Sequence, residues 1–210
     1  MLSPRLLPAL LVMLAVDLCF VLLLLERGSD AFYQENSLLE NAQLTALAAC
    51  VAAHAWRQRR TVSVFEHRLF VALGLLAFAI FYRESDLQSL LAPDSALRNA
   101  LFIARRILGS LLWLAAAIAL WRCLANDRLR TRRFLLSDVA LLMAACVAMM
   151  VLAALLDKSV IRLPGPNRFY EELLEFSAYL SLLFAAFALR TEFHGSALPG
   201  WALEKNQSRS

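Results

Sequence analysis

Long apolar runs, separated by short charged segments, are the feature that most restricts what this chain can fold into. One run covers residues 6–25 with Asp17 as its only charged residue, and another covers residues 69–82. Several runs approach the roughly 20 residues that an α-helix needs to cross a bilayer. Their faces are apolar nearly all round, whereas a surface helix of a soluble protein keeps one polar face. The sequence therefore predicts an all-α, polytopic membrane bundle.

The alternation of apolar and charged segments predicts six transmembrane helices within residues 1–190 and a polar cytoplasmic tail over residues 191–210. The first helix, over residues 6–25, is too long for the apolar region of a signal peptide and is expected to stay uncleaved. The second is rich in alanine, which lets helices approach closely in lipid, so it is expected to pack centrally. The following helices are expected to end near residues 82 and 121 and then to cover residues 134–156 and 169–190, with a short basic loop over 122–133.

The distribution of charge predicts the orientation of the six helices. Both termini then lie on one side, which carries 13 of the 21 Lys and Arg residues. The positive-inside rule places that side, and both termini, in the cytoplasm. Acidic residues show the reverse bias, with 11 of the 17 Asp and Glu residues on the opposite side. Because acidic residues carry little topological weight, their excess there points to something other than membrane insertion.

Composition also excludes several classes of protein. The net charge of +4 sits at helix ends rather than along one face, so we expect no nucleic-acid partner. The four cysteines have no CxxC spacing and are expected to be small buried apolar residues. The three histidines form no zinc-hydrolase pattern, and His54 is expected to lie at the membrane interface.

Polar residues of four predicted helices fall at one depth. Measured from each helix's cytoplasmic basic residue, with a rise of about 1.5 Å per residue, they lie roughly 24 Å away. Arg68 and Glu84 are 16 residues apart, as are Arg106 and Arg122. We expect these groups to form an outward-facing carboxylate–arginine site just inside the outer interface. The candidate binding residues are Glu40, Asn41, Arg83, Glu84, Asp86, Arg105, Arg106, Glu172 and Glu175.

Helical spacing predicts how some of these side chains point. Glu172, Glu175 and Tyr179 have i, i+3, i+7 spacing and so share one stripe. Arg105 and Arg106 point about 100° apart, so one is expected to face the bundle while the other reaches outward. Gly109 is expected to permit close helix approach beside them.

Two interpretations of this predicted site remain open. It can be an internal salt-bridge network that orients the helices. It can also be a pocket for a divalent cation, a lipid head group or a cationic solute, because its carboxylates outnumber its arginines. A divalent cation is thus a possible cofactor, with Glu84, Asp86, Glu172 and Glu175 as candidate metal ligands. No nucleophile–base set is visible, so catalytic residues are unknown, and Ser85 is expected to cap a helix end.

Three functions follow from these interpretations. The favoured one is a non-catalytic binding or assembly component, whose partners are the lipid bilayer and a membrane protein or a second copy of the chain. The second is a small proton- or cation-coupled transporter that uses Asp17 and the outer cluster. The alternative interpretation of Asp17 is a structural one, a carboxyl hydrogen-bonded to a neighbouring helix. The third is a membrane-embedded hydrolase acting on a lipid or envelope substrate.

Five short motifs carry a resemblance to known sequences. They are Glu26-Arg27-Gly28, Glu40-Asn41, Phe81-Tyr82-Arg83-Glu84-Ser85-Asp86, Leu156-Asp157-Lys158-Ser159 and Glu171-Glu172-Leu173-Leu174-Glu175. Together they resemble a pattern in uncharacterised bacterial multi-pass membrane proteins over most of the chain. The resemblance implies a bacterial inner-membrane setting and no particular reaction. The zinc histidines of alkaline ceramidase-like hydrolases have no counterpart here, so their activity is not implied.

Overall fold

The computed structural model describes residues 6–27, 38–85, 96–164 and 166–192, and within these ranges it is all-helical, with no strand. The helices are α1 (Leu6–Arg27), α2 (Leu38–Arg60), α3 (Val64–Glu84), α4 (Ala96–Asn126), α5 (Arg128–Leu135), α6 (Asp138–Asp157) and α7 (Asn167–Glu192). Four of them, α1, α3, α4 and α6, are long and apolar enough to cross a membrane. This is the architecture of a helical membrane bundle.

The core of the bundle lies between α2, α3, α6 and α7. The most extensive contacts are those of α6 with α7, α2 with α3, α3 with α4, and α2 with α7. Leu47, Leu73, Tyr179 and Leu182 are fully buried where these helices meet. The central position expected for the alanine-rich α2 is therefore confirmed.

Two helices lie at the periphery, α1 mainly against α7 and α4 mainly against α3. Their outward faces are apolar: the side chains of Leu14 and Leu114 are more than half exposed. A soluble protein rarely leaves such a large apolar surface uncovered, whereas lipid covers it without cost.

The predicted basic loop over residues 122–133 is wrong, because most of this stretch is helical. Helix α4 continues to Asn126, and α5 starts at once behind the N-cap Asp127, whose side chain accepts a hydrogen bond from the Arg130 N–H. The Thr131 hydroxyl donates to the Leu124 carbonyl at 2.7 Å and fastens α5 to α4. The next helix then begins at Asp138, with Ser137 as its N-cap, instead of at residue 134.

His54, expected at the membrane interface, has a side chain that is completely buried inside the bundle. Its Nδ1 lies 2.8 Å from the Cys50 carbonyl, and its ring meets Phe70 edge-on. A Cβ added at Gly74 would lie 3.3 Å from the His54 Cβ, so α2 and α3 approach closely here. The expectation for the cysteines holds for Cys50, Cys123 and Cys146, which are buried, and not for Cys19, which is exposed on α1.

Candidate functional site

The carboxyl end of α3 carries the first group of paired charges. The Arg83 Nε donates to Glu84 Oε1 at 2.8 Å, and Arg83 Nη2 lies 3.4 Å from Glu175 Oε1 on α7. The Tyr179 hydroxyl, one turn beyond Glu175, also donates to Glu84 Oε1 at 3.2 Å. Helix α3 ends here because Ser85 caps it, its hydroxyl donating to the Tyr82 carbonyl at 3.1 Å, as expected from the sequence.

A second group joins the start of α2 to the start of α7. Arg168 Nη2 lies 3.3 Å from Glu40 Oε1, and Arg168 Nε lies 3.8 Å from Glu172 Oε1. The Gln43 amide donates to the Glu172 carboxylate at 2.7 Å and to its backbone carbonyl at 2.8 Å. Gln43 and the Glu172 side chain are both buried, so this contact is shielded from solvent.

Helix α4 contributes two arginines that diverge, as their 100° separation predicts. Arg105 points towards the bundle and donates to the Arg83 carbonyl. Arg106 is exposed and lies over the Phe102 ring, 5.6 Å from its centroid. Among the described residues no carboxylate lies within ion-pairing distance of Arg106.

A cavity of about 320 Å³ opens between α3 and α4 beside these arginines. Arg83, Arg105 and Arg106 line it together with three aromatic residues and three small ones. The aromatic residues are Tyr82, Phe102 and Trp113. The cavity therefore combines three cationic side chains with apolar surface.

We call this set of groups the polar layer: Glu40, Gln43, Arg83, Glu84, Arg105, Arg168, Glu172, Glu175 and Tyr179. It brings together residues of α2, α3, α4 and α7, which the depth argument expected to share one level. Asn41 is exposed, and its backbone carbonyl accepts a hydrogen bond from Thr45. Asp86 lies outside the described residues.

Three members of the polar layer were not among the candidate binding residues: Tyr179, which was noted only for sharing the stripe of Glu172 and Glu175, and Gln43 and Arg168. Gln43 was overlooked although it lies one turn from Glu40, and Arg168 although it lies one turn before Glu172. Arg168 changes the charge balance, because it adds one positive charge in contact with two carboxylates that Arg83 does not reach. Within the described ranges, no three His, Cys, Asp or Glu side chains are grouped so that they could hold a metal ion.

Asp17 stands apart from the polar layer, in the middle of α1. It accepts a hydrogen bond of 2.8 Å from the Ser177 hydroxyl of α7. The Ser177 hydroxyl also contacts the Leu173 carbonyl one turn earlier in its own helix. This is the contact with a neighbouring helix that the structural interpretation of Asp17 expected.

Fold and polar layer together define the class of this protein, a helical membrane bundle with partly exposed charge pairs at one end. No family model matches the chain, and neither a curated protein nor a solved structure matches it.

Proposed function

We propose that the chain is a six-span protein of the bacterial inner membrane, with both termini in the cytoplasm and the polar layer at the outer face. It is a non-catalytic binding or assembly component. The group it recognises is the anionic head group of a lipid in the outer leaflet, held in the cavity between α3 and α4.

The packing of the more polar helices supports six spans. Helices α2 and α7 have 23 and 26 residues, enough for roughly 34 Å and 39 Å. Each packs lengthwise against an apolar partner, α2 against α3 and α7 against α6. Their buried polar groups satisfy one another, as Gln43 and Glu172 do, so neither helix exposes them to lipid.

The positive-inside rule supports the orientation. The loop and helix ends opposite the polar layer hold most of the basic residues, including Arg57, Arg59 and Arg60 at the end of α2 and four arginines in α5. Such short basic segments stay in the cytoplasm during insertion. Helix α7 ends on the same basic side. The residues that follow it then lie in the cytoplasm as a tail.

One observation carries the choice of ligand, namely the cavity lined by three arginines from two helices. Each carboxylate of the polar layer already contacts an arginine or an amide, and within the described ranges no three of them are grouped so that they could hold a metal ion. Arg106 has only an aromatic partner among the described residues, and a phosphate offers it charge-assisted hydrogen bonds. Aromatic walls suit the boundary between head groups and acyl chains.

Tryptophan quenching tests this proposal because Trp113 lines the cavity. In a variant with Trp56, Trp121 and Trp201 changed to Phe, we expect brominated phosphatidylglycerol to quench Trp113 more than brominated phosphatidylcholine does. Arg106→Gln removes the arginine with the fewest protein partners. It should lower the preference for phosphatidylglycerol over phosphatidylcholine about fivefold, because one arginine near a membrane contributes on the order of 1 kcal/mol.

Lys158→Gln is the matched control, because Lys158 is an exposed cation at the same end of the bundle, outside the cavity. It should leave the quenching preference unchanged. Equal quenching by the two lipids in the parent protein would overturn the head-group proposal. Thermal stabilisation by Ca²⁺ that Glu175→Gln abolishes would instead favour a cation site.

A further inference from the structure

A second groove lies between α3 and α4 at the end of the bundle opposite the polar layer. Its volume is about 700 Å³, more than twice that of the cavity beside Arg106. Arg68 of α3 and Arg122 of α4 line it at this end of the bundle, together with Asn126. The remaining walls are apolar and mostly small, among them Val71 and Ala115.

The two arginines of this groove are exposed and uncompensated. Among the described residues no carboxylate lies within ion-pairing distance of Arg68 or Arg122. Like charges on adjacent helices repel each other, and an anion between them removes the repulsion. The groove therefore has positive charge at one end and apolar walls along the rest of its length.

Helix α5 adds more positive charge at the same end. It begins two residues after α4, and Arg130 Nη1 donates to the Ser63 hydroxyl at the start of α3, 3.2 Å away. Helix α5 is amphipathic: Phe134 is buried, Leu129 and Leu135 are exposed, and the helix carries four arginines. Short basic helices with exposed leucines lie in the interface of membranes that contain anionic lipids.

We infer that this groove binds an anionic glycerophospholipid of the cytoplasmic leaflet. Its phosphate lies between Arg68 and Arg122, and one acyl chain follows the apolar wall of the groove. A phospholipid matches both the charged end and the apolar wall of the groove, whereas free phosphate would contact only the charged end. The inference rests on the proposed orientation of the helices and is independent of the outer cavity.

Native mass spectrometry of the full chain in mild detergent tests the inference. In an Arg106→Gln background, which weakens the outer cavity, titration with phosphatidylglycerol should give a tightly bound lipid that phosphatidylcholine does not replace. The Arg68→Gln/Arg122→Gln variant should bind phosphatidylglycerol about 10- to 30-fold more weakly, because two arginines each contribute on the order of fivefold. The Arg68→Lys/Arg122→Lys variant keeps the charge and should retain most of the preference.

Arg59→Gln/Arg60→Gln is the matched control, with the same loss of charge at the same end of the bundle, on α2. Its affinity should stay within about twofold of the parent. A second variant, Ala115→Trp, keeps both arginines and fills the apolar wall, so it should also lose the bound lipid. Circular dichroism and the thermal midpoint check that each variant is folded.

Three results would overturn the inference. The first is equal affinity for phosphatidylglycerol and phosphatidylcholine, and the second is an equal loss in the control pair. The third is displacement of the lipid by millimolar inorganic phosphate, which would indicate a site for the free anion. Trp113 quenching should be unchanged in Arg68→Gln/Arg122→Gln, so a failure here and a failure of the outer site are distinguishable.

Discussion

Gln43 shows, at the scale of single residues, how a polar group is kept inside an apolar bundle. Its amide gives both hydrogens to Glu172, one to the carboxylate and one to the backbone carbonyl. A buried carboxylate without a donor pays the full cost of desolvation, whereas a satisfied one costs little. Gln43 thus sets whether Glu172 can remain buried between α2 and α7.

Removing this donor should destabilise the protein. Gln43→Leu leaves the Glu172 side chain with only the long contact to Arg168, and we expect a loss of about 1–3 kcal/mol in the free energy of unfolding. The measurement is the unfolding equilibrium in detergent micelles. Thr45→Leu, an exposed substitution on the same helix, should change it by less than about 0.5 kcal/mol.

The double variant Gln43→Leu/Glu172→Leu completes a thermodynamic cycle. With both partners apolar no group is left unsatisfied, so its loss should be smaller than that of Gln43→Leu alone. A double variant that is less stable than Gln43→Leu would contradict the claim that the Gln43 amide stabilises the buried Glu172 carboxylate.

At the scale of helices, the structure shows which glycine allows close packing. The sequence singled out Gly109 of α4, but a Cβ there would meet only the Tyr82 ring, at 3.9 Å. The close approach instead occurs at Gly74 of α3, against His54 of α2. Sequence could not separate the two, because both glycines lie inside apolar helices and only packing distinguishes them.

The two glycines should respond differently to the same substitution. Gly109→Ala gains helix propensity, up to about 1 kcal/mol, with ordinary contacts around the new methyl group. Gly74→Ala gains the same propensity but must move His54 or its helix, so its thermal midpoint should lie below that of Gly109→Ala. Equal midpoints would show that the α2–α3 contact tolerates a methyl group there.

At the scale of the whole molecule, apolar surface and polar layer agree with the six spans and the orientation proposed above. Helices α1 and α4 are mostly exposed, as lipid-facing helices are, while α2 and α7 hold their polar groups inward. Short connections then alternate between the two sides of the membrane. Val62 lies in the connection between α2 and α3, and Val160 lies in that between α6 and α7.

Cysteine labelling tests this orientation with two matched valines, both well exposed. In a Cys19→Ser background, where the other three cysteines are buried, a membrane-impermeant maleimide should label Val160→Cys in intact spheroplasts. Val62→Cys should react only after the membrane is permeabilised. The reverse pattern, or equal labelling, would contradict cytoplasmic termini.

The sequence by itself determined the class of protein and predicted the level at which its charges lie. Apolar runs exclude a soluble fold, and the constant rise of an α-helix puts Glu84 and Arg106 at the same depth whatever the helices pack against. Tertiary structure alone decided the partners, because packing fixes how each helix is rotated and which neighbour it meets. It paired Glu172 with Gln43, left Arg106 beside an aromatic ring, and buried His54 in the core.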